Sequence, residues 1–177
     1  MTITPDDKDW TWVIERRCSE CGFDATATDA RDVAAMLRDA TRDWVTVLTT
    51  RADVRDRPSP DVWSPLEYGC HVRDVYRVYD GRLGRMLSED GPHYENWDQD
   101  KTALESDYAA QDPSTVAHEI ANDGLVLAGR FESVKGEQWD RTGFRSDGAA
   151  FTIDTFARYF IHDIVHHLVD VGARSGP

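Results

Sequence analysis

Residues 63–74 read WSPLEYGCHVRD and contain the clearest helix start in the chain. Ser64 is placed to cap a helix, Pro65 suits the first helical position, and Glu67 lies three residues after the cap, as in a capping box. Apolar residues then recur at helical spacing as far as Ser88. This stretch therefore predicts a long helix from Pro65 to Ser88.

Three further segments show helical periodicity of apolar residues. The first is predicted to run from Thr28 to about residue 50, and the second begins around Asp112. The last begins at Thr152 or Asp154 and ends before Gly172, which is the type of residue that terminates helices. Four long helices in one domain predict an all-α protein, namely a four-helix bundle.

The length of 177 residues favours one domain. We expect residues 1–27 to form an irregular N-terminal arm and residues 28–174 to form the bundle. Residues 89–111 predict a long loop between the second and third helices, with a short helical turn inside it. Residues 136–150 are rich in Gly and Asp and are expected to loop back as a short hairpin.

The charge balance argues against partners that carry phosphate. The chain has 20 Lys and Arg against 33 Asp and Glu, a net charge of −13, so nucleic acids and anionic membranes are poor partners. No stretch approaches the roughly 20 apolar residues that span a bilayer. The amino end is acidic and polar, unlike a signal peptide. Three cysteines are not a secreted disulfide framework, so a cytoplasmic protein is expected.

Three of the six histidines lie within residues 162–167 of the last helix, HDIVHH. His162 and His166 are four residues apart, so they share one helical face and can bind one divalent metal ion. His167 is turned by about 100° from His166 and is expected at the rim of such a site, on the surface or behind a ligand. The alternative is that these histidines are ordinary core or surface residues, because HxxxH alone is a weak signal.

The same segment differs from a zinc-protease motif. Asp163 stands where HExxH has its general-base glutamate, and the shorter aspartate argues against a protease. A third ligand must then come from upstream. His71 is the best placed on the second helix, with His93 and His118 as alternatives. Three histidines from two helices leave coordination positions open, as in a catalytic site.

Two motifs together resemble a known family. Residues 63–74 resemble the W-S-x-x-E-x-x-x-H-x-x-D signature of DinB-like four-helix-bundle metalloproteins, and His162-x-x-x-His166-His167 resembles their second metal motif. The resemblance covers about residues 28–173. It implies a metal held by His71, His162 and His166, with water or substrate completing the coordination. Zinc or nickel is expected, because imidazole suits both divalent metals. The resemblance assigns no catalytic residue beyond these ligands.

The resemblance also implies a reaction class. Related proteins include mycothiol-dependent maleylpyruvate isomerase and the bacillithiol and mycothiol S-transferases, in which the metal activates a low-molecular-weight thiol for attack on an electrophile. A thiol-dependent S-transferase or isomerase is therefore expected, with a small-molecule electrophile and a thiol as partners, and a homodimer. A metal-dependent hydrolase and a non-catalytic interaction bundle are the alternatives. Arg73 and Arg158 are candidate donors to a thiol cofactor.

The arm carries a feature that departs from the family pattern, Cys18-Ser-Glu-Cys21-Gly22. A CxxC can be half of a zinc site, a redox pair or two reduced thiols. A structural zinc needs four ligands, and the chain has no second CxxC. Two reduced thiols or a local disulfide are therefore the favoured interpretations, with a metal role less favoured.

Overall fold

The computed structural model describes residue 3 and residues 9–177, and it is mostly helical. The helices are α1 Val33–Thr50, α2 Pro65–Ser88, α3 Gln99–Glu105, α4 Pro113–Ser133 and α5 Ile153–Asp170, and the strands are β1 His93–Tyr94, β2 Thr142–Arg145 and β3 Ala150–Thr152. The four long helices α1, α2, α4 and α5 form the predicted bundle. No described helix combines the length and apolar character needed to cross a bilayer. Residues 1, 2 and 4–8 of the predicted arm, most of the acidic amino end, lie outside the described residues.

The start of α2 is the capping box that the sequence predicts. The Ser64 hydroxyl accepts a hydrogen bond from the Glu67 N–H, and the Glu67 carboxylate accepts one from the Ser64 N–H at 2.9 Å. Glu67 is buried, and Arg57 neutralises it with a second pair of donors. Because these bonds satisfy the helix end, α2 begins at Pro65 and holds His71 in its second turn.

The first helix begins later than predicted. Thr28 is not its cap, because α1 starts at Val33 and two short 3₁₀ turns precede it. Asp24 and Asp29 each accept a hydrogen bond from the N–H two residues further on, at 3.0 and 2.9 Å. These local side-chain bonds stabilise turns in place of α-helix, as expected for aspartate.

A small sheet, in the order β1-β2-β3, packs against α2 and α5. Strands β2 and β3 form the predicted hairpin, in which Gly143 pairs with Phe151, and β1 pairs with β2 in parallel. The long loop between α2 and α4 contains β1 and α3, so the expected helical turn is present. The hairpin leads directly into α5, whose cap is Thr152.

The core depends on α4 packing closely against α1 and α2. Gly124 on α4 lies where a Cβ atom would come within 2.5 Å of the Thr41 hydroxyl and 3.0 Å of the Tyr76 ring. Those two side chains are hydrogen-bonded to each other at 3.1 Å and are buried. Phe160 of α5 also contacts the Tyr76 ring, with the centroids 5.9 Å apart. A glycine at 124 therefore permits the close contact of α4 with α1 and α2.

Replacing Gly124 with Ala should destabilise the protein by about 1–3 kcal/mol, the usual cost of forcing a methyl group into a packed core. Gly129→Ala is the matched control on the same helix, because its Cβ would meet nothing within 4 Å. That variant should be stabilised by about 0.5–1 kcal/mol through helix propensity alone. Urea unfolding of both variants measures the difference, and equal stabilities would contradict the close approach.

Candidate metal centre

Helix α5 carries two neighbouring stripes of metal-binding side chains. His162 and His166 form one stripe, and Asp163 and His167 form the other, each pair one helical turn apart. Adjacent residues in a helix differ by about 100°, so the two stripes face different surroundings. One stripe faces α2, and the other faces the N-terminal arm.

The described residues contain two groups whose ligand atoms lie within 4.8 Å of one another. The first, which we call the bundle cluster, consists of His71, Asp163 and His167. The second, the arm cluster, consists of Cys18, Cys21, His162 and His166. The set suggested by the sequence, His71, His162 and His166, is thus divided between the two clusters, and its sharing of one metal ion stays a prediction.

The bundle cluster brings two imidazoles to one carboxylate. The His71 Nε2 atom is 3.6 Å from Asp163 Oδ2, and the His167 Nε2 atom is 3.5 Å from Asp163 Oδ1. The other ring nitrogen of His167, Nδ1, is 2.8 Å from Asp170 Oδ2. Because an ionised carboxylate only accepts hydrogen bonds, Nδ1 must donate here, which leaves Nε2 directed at the cluster.

His71 is held by aromatic rings and lacks hydrogen-bond partners. Its ring stacks on Trp97 with the centroids 5.5 Å apart and an angle of 15°, and Trp63 lies at the same centroid distance. Both ring nitrogens are buried, and neither has a hydrogen bond within the described residues. An unpaired buried nitrogen is costly, and a metal ion would satisfy it. The donor set and this orphaned atom together fit a divalent cation.

The charges of the bundle cluster favour a cation. Burial opposes ionisation of Asp163, yet the neighbouring imidazoles of His167 and His71 hold its pKa well below the usual range. Burial also disfavours the charged form of His167, but Asp163 and Asp170 outweigh it and raise the pKa of His167 to about 10. In the absence of metal, an imidazolium ion therefore supplies the positive charge between two carboxylates.

A cavity of about 840 Å³ opens at the two clusters. It lies between α2, α5, the segment 96–100, the hairpin loop 145–149 and the start of the arm, residues 9–11. Two arginines line it. Arg145 pairs with Asp147, whereas Arg82 donates to the Glu95 carbonyl at 2.7 Å and to no described carboxylate. A volume of this size is that of a small-molecule site.

The arm cluster is more enclosed. All four side chains are buried, and the cysteines are free thiols, so the structure contains no Cys18–Cys21 disulfide. Cys18 Sγ lies 3.8 Å from His166 Nδ1. Burial raises the pKa of Cys21 to about 12 and lowers that of His162 to about 4, so this imidazole is neutral.

The remaining sequence candidates lie elsewhere. His93 is exposed and stacks on Phe144, and His118 is exposed on α4. Arg73 is bound by Asp74, Gln111 and Glu119, and Arg158 by Asp154 and the Ala25 carbonyl. None of these four residues lines the cavity.

Sequence reasoning missed two members of the bundle cluster, Asp163 and His167. The protease comparison points to Asp163 only as a shorter substitute for glutamate, and helix geometry predicts His167 at the rim, on the surface or behind a ligand. The signal that could have found them is their own spacing, because Asp163 and His167 are four residues apart, like His162 and His166. Arg82 and Trp97 carried no comparable signal.

A family model described as the DinB superfamily matches residues 33–170, which include all four bundle helices. This chain belongs to the DinB superfamily. Among solved structures it is similar to YfiT from Bacillus subtilis, with a TM-score of 0.70 and 14% identity over 81% of this chain and 85% of that one. YfiT is described as a probable metal-dependent hydrolase with an unusual four-helix bundle topology. No curated protein matches the chain.

The Asp163→Asn variant should lower the pKa of His167 in EDTA-treated protein, because the substitution removes a negative charge that stabilises the imidazolium. The contribution of His167 to stability is complete below its unfolded pKa of about 6.5 and is lost as the pH rises through about 10. The variant should lose this contribution to stability at a lower pH than the wild type does. NMR titration of the His167 ring protons measures the shift. Asp154→Asn, on the same helix but paired with Arg158, is the control, and equal pKa values in the two variants would contradict the ion pair.

Proposed function

We propose that this DinB-superfamily protein is a metal-dependent enzyme in which His71, Asp163 and His167 hold one catalytic divalent cation at the wall of the cavity. The observation that carries the proposal is the convergence of these three side chains, from α2 and α5, beside a cavity of about 840 Å³. A site with three protein ligands leaves coordination positions for a nucleophile or a substrate.

Hydrolysis of a small polar substrate is the reaction that the ligand set supports best. Two histidines and one carboxylate form the ligand set of hydrolytic zinc sites such as that of thermolysin. When bound, a divalent cation lowers the pKa of a nucleophile that binds to it and polarises the bond under attack. The description of YfiT as a probable metal-dependent hydrolase agrees with this class.

The protein's own residues prepare the site. Trp63 and Trp97 set the orientation of the His71 ring by contact with its faces and edges. Asp170 holds the Nδ1 proton of His167, which keeps Nε2 available as a ligand. The carboxylate of Asp163 reduces the charge of a divalent cation by one, which lessens the cost of holding it in a half-buried site.

Thiol transfer is the second candidate, and the cavity supports it. Its volume admits a nucleophile larger than water together with an electrophile. Arg82 lines that space with no described carboxylate bound to it, so it can bind the carboxylate of an amino-acid-derived thiol. A metal ion makes a bound thiol more acidic, which gives the thiolate needed for attack.

The test is a comparison of two reactions on zinc-loaded protein. Hydrolysis is followed with a panel of carboxylic and phosphoric esters of nitrophenol. Thiol transfer is followed with mycothiol, bacillithiol or cysteine and chlorodinitrobenzene. His71→Ala and His167→Ala should each reduce kcat/KM by at least about 100-fold, as expected when a metal ligand or its support is removed.

Arg82→Ala should mainly raise KM for an anionic substrate, with kcat little changed, because the residue binds the substrate and does not contact the metal ion. His118→Ala is the control, since His118 is exposed and lies outside the cavity. Activity that survives the loss of His71 and His167 would refute the catalytic site. A protein that binds no metal at these residues would instead support a non-catalytic bundle.

A further inference from the structure

We propose that Cys18, Cys21, His162 and His166 form a closed structural zinc site that fastens the N-terminal arm to α5. The site is separate from the bundle cluster and shares no ligand with it. Its occupant is zinc, because two thiolates and two imidazoles in a tetrahedral arrangement are a preferred ligand set of that metal.

The four donors meet the geometric requirement. In a tetrahedral zinc site with bonds of about 2.0–2.3 Å, neighbouring donor atoms are separated by about 3.3–3.8 Å. The four ligand atoms here lie within 4.8 Å of one another, and Cys18 Sγ is 3.8 Å from His166 Nδ1. Metal binding therefore requires only a small contraction. The two ligands that the CxxC lacks are His162 and His166 of α5, which is distant in sequence, and not a second CxxC.

One candidate ligand, His162, has a buried ring nitrogen without a hydrogen-bond partner among the described residues. His162 is 4% exposed, and its Nε2 atom is buried with no hydrogen bond within the described residues. A disulfide between the two cysteines would leave this nitrogen unsatisfied, whereas zinc would bind it. Two thiolates also balance the charge of a zinc ion, so the loaded site is neutral and suited to burial. Binding releases the two thiol protons to solvent.

The surroundings close the site and orient its ligands. The Trp10 ring lies 5.7 and 5.0 Å from the rings of His162 and His166, and Phe23 lies 5.8 Å from His162. The Nε2 atom of His166, opposite the nitrogen that faces Cys18, is 3.6 Å from Asp170 Oδ1. A carboxylate on that side favours the tautomer in which Nδ1 is the metal ligand.

Zinc at this position would hold part of the cavity wall in place. The residues before the CxxC, Asp9, Trp10 and Thr11, line the cavity from the arm. The arm also contacts α5 through the Trp10 ring and through the hydrogen bond from Arg158 to the Ala25 carbonyl. A zinc ion bound here would therefore fix the position of the arm against α5, beside the cavity.

Metal content and cobalt spectra of the untagged full-length chain test the proposal. Wild-type protein purified with a reductant should contain one zinc ion per chain that is lost in Cys18→Ser and Cys21→Ser and retained in His71→Ala. After replacement of zinc by Co²⁺, the wild type should show the near-ultraviolet thiolate-to-cobalt charge-transfer band. Cys70→Ala is the matched control, because Cys70 is buried on α2 and belongs to neither cluster.

The cobalt spectrum of the unsubstituted chain decides the question even if a cysteine variant fails to fold. Absence of the charge-transfer band would overturn the proposal, as would a band that persists in both arm variants or a Cys18–Cys21 disulfide in the reduced preparation. Failure of the proposed function is distinguishable. It would remove only the metal that depends on His71 and His167, and the cysteine-dependent band would remain.

Discussion

The turn of about 100° between neighbouring residues of α5 is the constraint on which the two clusters depend. It separates His162 and His166 from Asp163 and His167, although the four residues alternate within six positions of the sequence. One pair faces the cysteines of the arm, and the other faces His71 of α2. Each pair of side chains reaches only the residues that its own stripe faces. One short segment of α5 can therefore supply ligands to two chemically different sites that share no ligand.

That arrangement requires α5 to be fixed in rotation about its axis. The aromatic core provides this, since Phe160 contacts both Tyr76 and Phe131, and Trp44 donates to the Ile164 carbonyl. Rotation of α5 would expose these apolar surfaces while moving both stripes together. The bundle therefore contributes orientation as well as stability, and Tyr76, which contacts Phe160 of α5, also contacts α4 at Gly124.

Local signals were sufficient for most of the fold but do not choose between the possible ligand partners of His71. Ser64, Pro65 and Glu67 mark the start of α2 because a capping box is complete within four residues. The predicted start of α1 at Thr28 was wrong because Asp24 and Asp29 hydrogen-bond to nearby backbone N–H groups and stabilise turns. The spacing of apolar residues does not reveal that these turns compete with α-helix. The choice between His162 and Asp163 as partner of His71 depends on the rotation of α5. Packing against helices distant in sequence sets the rotation of α5, so this rotation cannot be predicted from the HDIVHH segment alone.

The CxxC motif of the arm supplies only half of a zinc site, and the fold brings the remaining candidate ligands to it. Cys18 and Cys21 alone supply two of the four ligands that a structural zinc needs, so the sequence pattern favours reduced thiols or a local disulfide. The structure places two buried imidazoles opposite them, and the arm then forms a wall of the cavity. The stripe that faces the arm and the stripe that faces α2 both border this cavity. Anchoring the arm to α5 therefore ties the shape of the substrate space to the helix that supplies two ligands of the proposed catalytic metal.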